Sequence, residues 1–85
     1  MAHSASSGEQ ALLRAARAAL GWSYVETSRR AQVSIGMLLS AEGKRERPAP
    51  ATSTAALWRA YEQAGVGRLD GGSGGCGIIL RIDQV

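Results

Sequence analysis

Apolar positions recur at helical spacing through most of this chain. Leu12, Leu13, Ala16, Ala19 and Leu20 share one face of a helix, with Arg14 and Arg17 on the opposite face. Ser7 followed by Gln10 has the form of a capping box, in which two side chains satisfy the unpaired N–H groups of a first turn. A helix is predicted from about Gly8 to Leu20, stopped by Gly21, because glycine takes the left-handed C-cap conformation at little cost. Ser23 with Glu26 forms a second capping box and opens a short helix to about Ala31, with Trp22 placed to pack on it from outside the cap. Ser34 is an N-cap candidate for a third helix ending near Glu42. Only Gln32 and Val33 separate these two short helices, so they must cross at a steep angle.

Gly43 to Pro50 reads as a loop, and Pro50 suits the first position of a fourth helix that ends near Ala64 before Gly65. Leu57, Ala60, Tyr61 and Ala64 make its inward face, while Trp58 fits surface or packing equally. The pattern then changes. Val66–Leu69 and Ile78–Ile82 are short runs rich in β-branched residues, separated by a glycine-rich stretch from Asp70 to Gly77. A small antiparallel hairpin is expected. The fold class is mainly α: a compact four-helix domain over residues 8–65, a β-hairpin tail over 66–85, and a disordered start over 1–7. Ile78, Leu80 and Ile82 alternate with Ile79, so the last strand is apolar on both faces. Pairing of such a strand across a two-fold axis would make a homodimer.

Composition narrows this further. Phenylalanine is absent and alanine supplies much of the apolar content, which suits close helix packing in one small domain. Ten Lys and Arg against seven Asp and Glu give a net charge of +3, an excess that permits nucleic acid as a partner without requiring it. A single cysteine, Cys76, rules out an internal disulfide and fits a reducing compartment. The polar N-terminal stretch does not read as a signal peptide, and Arg14 and Arg17 interrupt the most apolar segment. The expectation is a cytoplasmic protein with no membrane partner. Catalysis finds no support, since no nucleophile–base pair or paired carboxylates stand out. The glycine stretch lacks the Lys-Ser/Thr ending of a phosphate cradle, and His3 and Cys76 are too isolated for zinc. No cofactor or metal is expected, and the chain is not read as an enzyme.

The strongest candidate chemistry follows the third helix. Lys44, Arg45 and Arg47 form a basic loop, and between Arg29 and Arg47 five basic residues face two acidic ones, Glu42 and Glu46. Phosphate contact needs only such charge within reach. Two short helices in a tight turn also have the geometry of a helix-turn-helix unit. From Leu13 to Val66 the chain resembles the lambda-repressor-like helix-turn-helix family. The residues that carry this are Arg14-Ala-Ala-Arg17, Leu20-Gly-Trp-Ser23, Arg29-Arg-Ala31, Val33-Ser34, Glu42, Arg47-Pro-Ala-Pro-Ala-Thr52 and Leu57 through Ala64-Gly-Val66. It is most similar to short bacterial regulators that end in a glycine-rich loop and an apolar strand.

The resemblance implies a DNA-binding transcriptional regulator. Its second helix would brace the phosphate backbone and its third would lie in the major groove of double-stranded DNA. The site residues implied are Tyr24, Ser34, Ile35, Gly36, Met37, Leu39, Ser40, Lys44, Arg45 and Arg47. Tyr24 would offer its hydroxyl to a phosphate, and Met37 apolar contact to a thymine methyl. The chain departs from the family pattern at Tyr24 (usually Gln), Thr27 (usually Leu) and Gln32 (usually Gly). The third helix also departs: Ile35, Gly36, Met37 and Leu39 stand where polar or basic side chains are usual, leaving Ser40 for hydrogen bonding. A second reading therefore stands beside the first. Val25, Ile35, Met37 and Leu39 form an apolar cluster suited to a protein partner, as in an antiactivator or antitoxin-like protein. On that reading Val33, Leu38 and Ala41 fill the core.

Overall fold

A computed structural model describes residues 7–71 and 75–80. The expectations for residues 1–6, including His3, and for Ile82 lie outside the described residues, as do those for the side chains of Cys76, Ile79 and Leu80. Four helices run in order, α1 (Ser7–Leu20), α2 (Tyr24–Ala31), α3 (Ile35–Ala41) and α4 (Ala51–Gln63), followed by strands β1 (Val66–Gly71) and β2 (Gly75–Leu80). This is the mainly-α domain with a small C-terminal antiparallel pair that the sequence pattern predicts.

Local chemistry sets the helix boundaries. The Ser23 hydroxyl accepts from the Glu26 N–H at 3.0 Å, and the Ser34 hydroxyl accepts from the Met37 N–H at 3.0 Å. Of the predicted box at Ser23, only this half forms, since the Glu26 carboxylate turns to Arg29 and Arg30. Gly21 ends α1 with φ +70°, as its lack of a β-carbon allows. Gln32 ends α2 with φ 59°, a left-handed conformation that costs a residue with a β-carbon about 1–2 kcal/mol. Pro50 sits one place earlier than expected, at the N-cap of α4, where its missing N–H leaves no donor unpaired.

The core is built from every helix and the first strand. Leu13 and Ala16 of α1, Leu38 and Ala41 of α3, Leu57, Trp58 and Tyr61 of α4, and Val66 of β1 are buried. Val33, Trp22 and Ile78 are half-buried and pack against it. Trp58 is settled as a core residue, edge-on to Tyr61 with ring centroids 5.9 Å apart. Two expectations for α1 are corrected. Ala19 is exposed, and Arg17 does not lie on a solvated face but reaches across to α3. β1 and β2 pair from Val66↔Leu80 to Gly71↔Gly75, so the strands extend into the stretch read as a glycine loop. No helix among the described residues is long and apolar enough to cross a membrane.

Candidate nucleic-acid interface

Three side chains on successive turns of α1 hold the end of α3. Arg14 Nη1 donates to the Glu42 carbonyl at 2.7 Å. Arg17 grips the Glu42 carboxylate with two bonds, Nε to Oε2 at 2.6 Å and Nη2 to Oε1 at 3.1 Å. Gln10 lies against Gly43, where a β-carbon would meet its Oε1 at 2.5 Å, and Gly43 also has φ +82°. The left-handed φ is what favours glycine at position 43, since the Gln10 amide stands at the end of a flexible side chain that can swing aside. Glu42 is fully buried, and its fork of bonds to Arg17 holds the guanidinium proton more tightly than usual. The loop that begins at Lys44 thus leaves from an anchored point.

Tyr24 connects this anchor to the basic loop. The Arg17 guanidinium stacks 4.2 Å from the Tyr24 ring centroid and also donates to the Trp22 carbonyl at 3.1 Å. Lys44 Nζ bonds to the Tyr24 hydroxyl at 2.7 Å. The half-buried tyrosine is held by a cation on its ring and another at its hydroxyl, with the hydroxyl at the start of α2. Arg45 folds toward the first turn of α3: a β-carbon at Gly36 would lie 3.8 Å from its Nη1. Lys44, Arg45 and Arg47 are all exposed.

Of the ten predicted site residues, the structure brings Tyr24, Gly36, Lys44 and Arg45 together through these contacts. Ile35 and Met37 are each 39% exposed, and Val25 is 66% exposed. Leu39 is half-buried, and Ser34 is exposed but turned to its cap. Ser40 is a correction. It is 7% exposed, on the buried side of α3 with Leu38 and Ala41, so it is not available as the hydrogen-bonding residue of an outer face. The charge balance also changes. Glu42 is neutralised by Arg17 from outside the segment, and Arg29 and Arg30 both bind Glu26. The exposed loop then carries three cations against Glu46.

Sequence reasoning missed Gln10, Arg17 and Glu42 as the residues that position the loop. The one available signal was a glutamate followed by glycine at the end of an otherwise uncharged helix. Elsewhere, a groove of about 430 Å³ is lined by residues including Glu9, Pro48, Ala49, Trp58 and Arg68, none of them a candidate residue. Comparison with known proteins found no matching family model, no matching curated protein and no matching solved structure.

Proposed function

We propose that the protein binds double-stranded DNA as a helix-turn-helix regulator of the lambda-repressor-like kind. One observation carries the reading. Lys44 and Arg45 fold back onto the first residues of α2 and α3, which puts exposed positive charge beside both helices of the turn. Phosphate contacts of this kind position a protein on the duplex without reading sequence. Tyr24 and Lys44 form a donor pair for one phosphate, and Arg45 and Arg47 supply further contacts as α3 enters the major groove.

The test is a gel shift of the full chain with duplexes from upstream of its own gene, in the presence of random competitor DNA. The triple variant Lys44→Ala, Arg45→Ala, Arg47→Ala should weaken binding to all sequences. It should also flatten the salt dependence by about 0.9 in log–log slope for each phosphate that is no longer neutralised. If the triple variant binds like the parent, the loop is only a solvated turn.

A second reading, docking to a protein through Val25, Ile35 and Met37, is favoured by one observation. The three are exposed large apolar residues on the two helices of the turn. That reading expects no shift of any duplex.

A further inference from the structure

The side chains that α3 itself turns outward offer a base edge almost nothing to hydrogen-bond, and the donors nearest this face belong to Arg45 of the loop. Position 36 has no side chain, the Ser34 hydroxyl is turned to the Met37 N–H, and Ser40 is buried. What remains in solvent is Ile35 and Met37, each 39% exposed. Donor and acceptor patterns on base pairs are read by side chains with donors and acceptors. The C5-methyl group in the major groove is the one base feature read by apolar contact. The cations flanking this face also argue for a polyanion as its occupant, because Arg45 lies at Gly36, between the apolar residues 35 and 37.

From this we infer that Ile35 and Met37 recognise C5-methyl groups in the major groove. Sequence preference then depends on where methyl groups stand, not on a hydrogen-bond pattern. The inference rests on the DNA-binding reading above and adds the ligand chemistry to it. Thymine and 5-methylcytosine carry the same methyl at the same place, so the two are distinguished by experiment.

Duplexes bound by the full chain are selected from a random-sequence pool and sequenced. Thymine should be enriched at the positions under α3. The selected duplex is then made with uracil at those positions, which removes the methyl and keeps every hydrogen-bonding group. Binding should weaken roughly fourfold for each methyl, the equivalent of about 0.8 kcal/mol for one buried carbon group. Cytosine placed there should bind weakly too. Recovery on methylating that cytosine would support the methyl as the shared feature; no recovery, with the uracil loss intact, would identify thymine as the source.

Met37→Ala should narrow the difference between the thymine and uracil duplexes, with a thermal melt confirming that the variant is folded. Equal affinity for thymine and uracil duplexes overturns the inference. So does a guanine preference that depends on Arg45. Failure to bind any duplex, even at low salt, sinks the DNA-binding reading itself, whereas binding without a thymine–uracil difference sinks the inference alone.

Discussion

Arginine meets glutamate in two regions of this molecule, and the two meetings do different work. On α2, Glu26 accepts from Arg29 and Arg30 within two turns of one helix, in an exposed setting. Between α1 and the end of α3, Arg17 binds Glu42 across 25 positions of sequence, with the carboxylate fully buried. The first pair gains little, because water already solvates its charges and screens their attraction. The second ties two helices together, and its carboxylate has exchanged water for one partner. Identical chemistry thus decorates one helix and fixes the placement of another.

The largest test of this contrast is Glu42→Gln. It leaves Arg17 facing a neutral amide, and should cost about 3 kcal/mol in urea denaturation, the lower end for breaking a buried pair. The lower end applies because the Arg17 side chain keeps 17% of its exposure. Such a loss is a large share of a small domain's total stability. Replacing both partners, Arg17→Met with Glu42→Leu, should recover much of that stability, since apolar pairs often substitute well for buried ions. Under the proposed DNA-binding function, affinity for a duplex should not recover with it, because the stack of Arg17 on Tyr24 would be gone.

A smaller effect is expected at Tyr61, which lies close to the buried pair. Its hydroxyl is buried and has no hydrogen-bond partner among the described residues. Tyr61→Phe should therefore leave the unfolding free energy from urea denaturation unchanged or raise it by no more than about 1 kcal/mol. Burial, followed by the nearby Glu42 charge, raises the pKa of this phenol above its ordinary 10.0. Its contribution is complete below that value and is lost as pH climbs toward the folded one, so the phenylalanine variant should lose less stability in alkali than the parent.

The smallest effect belongs to the exposed pair. Hydrogen bonds from Arg29 and Arg30 hold the Glu26 carboxyl below its ordinary 4.5. Its stabilisation is present above that value and disappears as pH falls through the folded one. Glu26→Gln should lower the melting temperature only slightly at neutral pH, and the difference should vanish in acid. A loss as large as that of Glu42→Gln would mean that burial does not separate the two pairs.

Helix starts are easy to read in this sequence, and the reasons are local. Ser23 and Ser34 act on N–H groups three residues away, so their caps are visible in the order of residues. The phase of α3 is harder. Ile-Gly-Met-Leu-Leu-Ser-Ala is apolar or small at nearly every position, and Ser40 reads to the wrong side because no charged residue marks an outer face. Arg17 misleads for a different reason. A cation on a helix reads as solvated unless a distant partner is known, and Glu42 is distant. The strands reach into glycines that carry no β preference of their own, so pairing at Gly71↔Gly75 has no sequence signal. At the candidate site, the basic loop is legible as charge; its folding back onto Tyr24 and Gly36 is a matter of tertiary geometry.

The ring contacts in the core make the molecule its own optical probe. Tyr61 stands between Trp22 and Trp58, with centroids 5.8 Å and 5.9 Å away. At that separation a tyrosine hands its excitation to indole before it can emit. Light absorbed by Tyr61 in the folded chain should leave as tryptophan fluorescence. Unfolding separates Tyr61 from Trp22, which is distant in sequence, while Trp58 stays three residues away, so the phenol's own emission should reappear only in part, as α4 leaves Trp22, without any label being attached.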